Sequence, residues 1–310
     1  MSKLLVIFGA TGQQGGSVAE SVLSDPELSK QYKVRAVTRD PSKPAGLALQ
    51  KKGAEVVKGD LDDAASLTSV LKGAHTVFAI TVSVIDDSDR ATELAQGKAM
   101  ADAAVAAGAQ YFIFSTLPYV AKITDGKIKT VAHFDIKAEI EAYVRSLPIK
   151  SAFYVPGYFM ANFSNFVLPQ PVGDGTYATL SFVSSQTQLP LIDIAADSGK
   201  FVGAILAEPE KFEGKSVIGA TKLVTFEEAV KVISRVTGKT VKYNQVPESV
   251  IRGFMPPTAV DMLSGMFLYY QDFGYYGPDT KALVEEAPRI ARGKLATFEE
   301  YLARNPLPLA

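Results

Sequence analysis

Leu4-Leu5-Val6-Ile7-Phe8-Gly9-Ala10-Thr11-Gly12-Gln13-Gln14-Gly15 sets an apolar run directly against glycines at positions 9, 12 and 15. Residues 4–8 are too few for a helix core and right for a buried parallel strand. In residues 17–23, Val18 and Val22 then repeat at helical spacing. Strand, glycine turn and helix in that order are the context of a dinucleotide-binding turn. Gly9 permits a sharp bend, Gly12 lets backbone approach a pyrophosphate, and Gly15 lets the helix lie close to the strand. Thr11, Gln13 and Gln14 fill the turn and join the three glycines as candidate cofactor contacts. The free N–H groups and positive dipole end of the helix favour an anion there by roughly 0.3–1 kcal/mol when exposed.

Outward from this turn, residues 33–38 read as a second strand, 41–52 as a short crossover helix closed by Gly53, and 55–58 as a third strand. Asp62 opens a helix with Leu67, Val70 and Leu71 on one face and Gly73 as its stop, and 75–81 is a fourth strand. Ser88 caps a long helix to Ala107, and 110–115 is a fifth strand. The acids at 86, 87 and 89 read as charges gathered before that helix, not as a metal loop. Ile136, Ile140, Val144 and Leu147 stripe a helix over 130–147, followed by a sixth strand at 151–155. The alternation predicts an α/β fold: a Rossmann-type doubly wound parallel sheet with helices on both faces.

Beyond Pro156 the pattern turns to glycine, proline and aromatic residues, with strand-like stretches at 177–183 and 189–192, which predicts a smaller C-terminal α+β lobe. Residues 194–207 read as a helix returning to the sheet and 216–219 as a further strand. The Rossmann domain is therefore expected over 1–156, rejoined by about 193–220, with 157–192 and 221–310 in the lobe. Thr225 opens a helix to Val236, followed by a strand at 241–246 and helical segments to Leu302. The aromatic-dense stretch 267–276 reads as packing of the lobe onto the main domain, with a cleft lining or a partner surface as alternatives.

Thirty-two basic residues nearly cancel thirty-three acidic ones, so no chain-wide field draws in nucleic acid or an anionic membrane. No stretch approaches the length of a membrane span, and no signal-peptide pattern precedes the first strand, so a cytoplasmic or nucleocytoplasmic protein is expected. With no cysteine and only His75 and His133 as imidazoles, thiol chemistry is excluded and a zinc site is not expected.

In this fold the end of the second strand meets the adenosine ribose, where an acid would bind two hydroxyls. Here Arg39 follows Val37-Thr38, and its guanidinium suits the 2′-phosphate of NADP(H); Lys43 adds charge one turn on. Asp40 leaves an alternative open, since a strand ending one residue later turns the acid to the ribose. Asp60 and Leu61 follow the third strand where an adenine edge passes, and Asp60 reads equally as a helix cap. Thr81 and Ser115, at the carboxyl ends of strands four and five, lie where open α/β sheets bind ligands.

The turn at 9–16, Val37-Thr38-Arg39-Asp40-Pro41, Gly53-Ala54-Glu55-Val56-Val57-Lys58-Gly59-Asp60, Ala132-His133-Phe134-Asp135-Ile136-Lys137 and Pro156-Gly157-Tyr158-Phe159-Met160 together resemble the NmrA-like family. That family is an atypical branch of the extended short-chain dehydrogenases/reductases. The resemblance implies NADP(H) held between a Rossmann domain and a small lobe, in either a redox-sensing regulator or a reductase. Typical relatives carry Tyr-x-x-x-Lys, which no position of this chain offers; the matching place holds His133 and Lys137. By the resemblance Lys137 contacts the nicotinamide ribose, Ser115 takes the place of the usual catalytic serine, and His133 is the available proton donor. Tyr154, Pro156 and Phe159 then belong to the nicotinamide pocket, and Asn162 reaches a phosphate. The expected partners are a small-molecule substrate or a regulatory protein, with cofactor occupancy biasing conformation.

Overall fold

Leu5 and Ile7 face one side of strand β1 (Lys3–Ile7) and Val6 the other, all three without exposed surface, so β1 runs inside a sheet covered on both faces. The structure is a computed structural model that describes residues 2–83 and 90–309. Six further strands join β1: β2 (Tyr32–Thr38), β3 (Glu55–Lys58), β4 (Thr76–Ala79), β5 (Tyr111–Ser115), β6 (Lys150–Pro156) and, later in the chain, Ser216–Gly219. Between the last two come the small strands β7 (Tyr158–Phe159), β8 (Gln170–Pro171), β9 (Tyr177–Ser181) and β10 (Gln188–Ile192), which makes Ser216–Gly219 β11. The seven lie in the order β11-β6-β5-β4-β1-β2-β3, every pairing parallel. Strand order reverses between β1 and β4, which opens a crevice at their carboxyl ends.

The helices that accompany this sheet are α1 (Gln13–Ser24), α2 (Leu28–Gln31), α3 (Pro44–Lys51), α4 (Ala64–Leu71), α5 (Arg90–Ala106), α6 (Val120–Ile123), α7 (Ala132–Arg145), α8 (Ile194–Ala207) and α9 (Pro209–Phe212). Leu67, Met100 and Ile140 of α4, α5 and α7 bury against one face; Val18 and Val22 of α1 and Val202 and Ile205 of α8 bury against the other. Two glycines set how close the helices come. A Cβ on Gly199 of α8 would stand 2.1 Å from the Ser17 carbonyl oxygen of α1, and one on Gly97 of α5 would stand 2.5 Å from Ile140 of α7.

In the rest of the chain two three-stranded sheets form, one with β10 between β7 and β12 (Lys222–Thr225), the other with β9 between β8 and β13 (Val241–Gln245). The helices α10 (Phe226–Thr237), α11 (Glu248–Arg252), α12 (Val260–Phe273), α13 (Thr280–Ile290) and α14 (Phe298–Arg304) complete the fold. Thr225 caps α10 through a capping box with Glu228, as its position at the head of the amphipathic run predicts.

Several bounds differ from the sequence reading. Helix α1 starts at Gln13, not Ser17, because the turn closes early, with the Gly12 amide donating to the Gly9 carbonyl at 2.9 Å. Helix α3 starts at Pro44, because Asp40 and Ser42 form a turn of their own ahead of it. Strand β4 ends at Ala79, which leaves Thr81 in the loop beyond it. The short strands β7, β8 and β12 were not expected; two to four residues carry no readable period. The Ser88 cap and the acids at 86, 87 and 89 lie outside the described residues.

Candidate nucleotide crevice

Gly9 takes φ +64°, a left-handed conformation, and a Cβ there would press to 2.9 Å from Ile80 beyond β4. At Gly15 a Cβ would lie 2.4 Å from the Gly9 carbonyl oxygen, so only glycine lets the first turn of α1 sit on the end of β1. Gly12 is less constrained, at 3.3 Å from the same oxygen. The Thr11 hydroxyl meets the Thr38 hydroxyl at 3.2 Å and ties the turn to the end of β2.

Arg39 follows β2 directly, is exposed, and takes part in no ion pair among the described residues. The Asp40 carboxylate accepts from the Ser42 hydroxyl at 2.5 Å and the Ser42 amide at 3.0 Å, bonds that hold its pKa below the ordinary carboxylate value and keep the acid in its own turn. Among the described residues Arg39 makes no ion pair, while Asp40 Oδ1 is taken up by Ser42. Lys43 is exposed at the N-cap of α3. Asp60 is exposed and accepts from the Asp62 amide at 3.1 Å, while half-buried Leu61 follows it. The cap of α4 is neither Asp60 nor Asp62 but Asp63, whose carboxylate takes the Ala65 amide at 2.9 Å.

At the tip of β5 the Ser115 hydroxyl donates to Gln14 Oε1 at 2.7 Å, joining this strand to the first turn of α1. Its proton being given away, Ser115 faces other groups as an acceptor. Lys137 Nζ is buried and donates three times at 2.8 Å each, to the Thr81 carbonyl, the Thr81 hydroxyl and Glu93 Oε1. The Thr81 hydroxyl in turn donates to Glu93 Oε1 at 2.6 Å, and Ser83 does so at 3.2 Å. The sequence reading left the Lys137 ammonium free for a ribose; here all of its protons are held by Thr81 and Glu93. Burial pushes Lys137 below its ordinary pKa and the Glu93 carboxylate opposes that push.

His133 lies one turn before Lys137 on α7, with its ring edge-on to Phe134 at 4.9 Å and its buried Nδ1 without a hydrogen-bond partner among the described residues. Burial first, and the Lys137 ammonium second, bring its pKa down to about 4. The imidazole is neutral at physiological pH, which weakens its expected service as a proton donor.

Pro156, which ends β6, is buried, and Phe159 and Asn162 beyond it are half-buried. Tyr154 is a correction: its side chain is wholly buried under α8, with the hydroxyl on Ser198 at 3.1 Å and the ring stacked 6.2 Å from Phe201, so it presents no surface to a ligand. A cleft of about 350 Å³ opens beside Gln13, between Ala161, the start of α8 at Asp193, and Tyr301 and Arg304 of α14. A slightly larger one, about 370 Å³, lies behind α7 against Tyr119 and Leu283, away from the glycine turn.

Glu93 escaped the sequence reading. A single acid in an alanine-rich helix carries little signal, and the hint was Gly97 four residues on, marking a close helix contact. The tyrosines of 267–276 were read as packing, and Tyr269, Tyr270, Tyr275 and Tyr276 are buried, three of them around Phe134. The Tyr275 and Tyr276 hydroxyls donate to the Pro156 and Val155 carbonyls at 3.2 and 3.4 Å.

The family model of the NmrA-like family matches residues 1–302. The chain belongs to the NmrA-like family. An NmrA-like family domain-containing protein of Dictyostelium discoideum is 32% identical over 312 residues, covering 98% of each chain. The NmrA-like family domain-containing oxidoreductase FrzB of Cladobotryum sp is 31% identical over 323 residues, covering 95% of this chain and 94% of its own. Among solved structures, NmrA, a negative transcriptional regulator determined in complex with NAD and with NADP, superposes with a TM-score of 0.81 at 23% identity, covering 99% of this chain and 96% of its own. Among the described residues, no helix is long and apolar enough to cross a membrane.

Proposed function

We propose that this NmrA-like protein binds NADP(H) across the carboxyl ends of β1, β2, β4 and β5, and that occupancy biases how the smaller lobe meets the Rossmann unit. The observation that carries the proposal is the glycine turn under the N-terminus of α1 with an exposed, unpaired Arg39 beside it. Gly9, Thr11, Gly12, Gln13, Gln14 and Gly15 hold the pyrophosphate, Arg39 with Lys43 the 2′-phosphate, and Asp60 with Leu61 borders the adenine. Ser115 accepts from the carboxamide, Pro156 and Phe159 flank the ring, and Asn162 reaches a phosphate. The family resemblance and the NADP complex of NmrA support this reading.

A redox-reading regulator fits the crevice better than an acid-assisted reductase. The tyrosine is missing, His133 is neutral, and the Lys137 protons are already held. A second reading has its own support, since relatives such as FrzB bear the name oxidoreductase. When bound, the reduced cofactor supplies a hydride. A crevice without a placed proton donor suits an acceptor that already carries positive charge, such as an iminium, because no proton is then needed.

NADPH consumption against quinones, imines and carbonyls tests the choice, with wild type set beside His133→Ala and Lys137→Ala. The regulator reading expects no turnover with any of them. Sustained turnover with any of them replaces it with the reductase, and the substitutions then show whether His133 or Lys137 takes part.

A further inference from the structure

Glu93 is a buried carboxylate on α5 that meets Thr81 in the loop just past β4, and the proposed nucleotide contacts give it no part. Its Oε1 gathers the Thr81 hydroxyl at 2.6 Å, the Lys137 ammonium at 2.8 Å and the Ser83 hydroxyl at 3.2 Å. The ion pair has side-chain exposures of only 10% for Lys137 and 4% for Glu93, too little for water to screen it. Gly97, one turn further along α5, brings that helix close enough to Ile140 of α7 for the pair to form. A buried carboxylate bound this closely does more than fill space, because its removal leaves a bare cation beside the crevice.

We infer that the Glu93–Lys137 pair sets the relative affinity for oxidised and reduced nicotinamide, with Glu93 as a positioning residue acting through Lys137 and through its own charge. This rests on the proposed seat of the cofactor over β4 and β5. The oxidised ring is a cation and the reduced ring is neutral, so only the oxidised form feels the net charge of the pair directly. Paired, the two charges nearly cancel at the ring. Without Glu93, the ammonium repels the oxidised ring; without Lys137, the carboxylate attracts it. Among the described residues, the other titratable group facing Lys137 is His133, on the same helix, which is neutral at mildly acidic pH.

The test is calorimetric titration of NADPH and NADP⁺ into wild type, Glu93→Gln, Lys137→Met and the double variant. Gln retains the acceptor oxygen for Thr81 and Ser83, so Glu93→Gln changes charge with little change of shape. The expected result is a shift of the NADPH-to-NADP⁺ affinity ratio towards NADPH in Glu93→Gln, by about tenfold. Lys137→Met shifts the ratio towards NADP⁺, and the double variant returns it near wild type. A merely structural role weakens both nucleotides together and leaves the ratio where it was. An unmoved ratio in Glu93→Gln, or a shift of the same sign in both single variants, overturns the inference. Wild type that binds neither nucleotide overturns instead the reading on which it rests. If Lys137→Met fails to fold, Glu93→Gln alone decides.

Discussion

At the scale of single residues, His133 and Lys137 show how a pair at helical spacing changes meaning once its surroundings are known. Four residues apart on one face of α7, they read as a catalytic couple; in the fold one is a neutral imidazole and the other a cation locked to Glu93. The His133 pKa has a consequence for stability. Between the ordinary value of 6.5 and about 4 the unfolded chain takes up a proton that the folded chain refuses. Stability therefore falls as pH falls through that window, by on the order of 3 kcal/mol in total, and is constant with respect to this group above it. Urea unfolding at stepped pH is expected to give a shallower acid limb for His133→Asn than for wild type. Equal limbs would mean that the imidazole titrates normally in the fold.

At the scale of elements, contacts between helices and strand ends build the crevice. Gly15→Ala drives a methyl to 2.4 Å from the backbone oxygen of Gly9, which cannot swing away, so α1 must lift from the turn. Nucleotide binding is expected to be lost even where circular dichroism shows the fold retained. Gly97→Ala meets the Ile140 side chain first, at 2.5 Å, and that side chain can yield; a loss of about 1–3 kcal/mol in urea unfolding is expected. The strand, turn and helix at the chain's start were legible because period and glycine placement are local properties. So were the parallel sheet and the start of a helix at Thr225, each announced by residues a few positions apart. Glu93 was not legible, because its importance comes from Lys137, forty-four positions away on another helix. Tyr154 was misread for a related reason: its place after a strand was visible, but which face of the sheet its ring enters depends on α8.

At the scale of the whole molecule, the aromatic cluster joins the C-terminal part of the chain to the crevice. Phe134, next to His133, touches Tyr269, Tyr270 and Tyr275, and the Tyr275 hydroxyl holds the Pro156 carbonyl at 3.2 Å. Tyr275→Phe leaves that buried acceptor unsatisfied and is expected to cost about 1–3 kcal/mol in thermal or urea unfolding. If the cluster carries cofactor occupancy to the lobe, the same variant reduces the NADPH-induced slowing of hydrogen exchange in α12; undiminished slowing would assign the coupling to another route. Every proposed role in the crevice depends on a phosphorylated adenosine lying between the glycine turn and Arg39. Calorimetric titration of NADPH and NADH into wild type and Arg39→Ala tests this most directly. Wild type should prefer NADPH, and Arg39→Ala should lose about tenfold to a hundredfold for NADPH with little change for NADH. No binding to wild type, or a preference for NADPH that survives the loss of Arg39, is the outcome with which the account cannot stand.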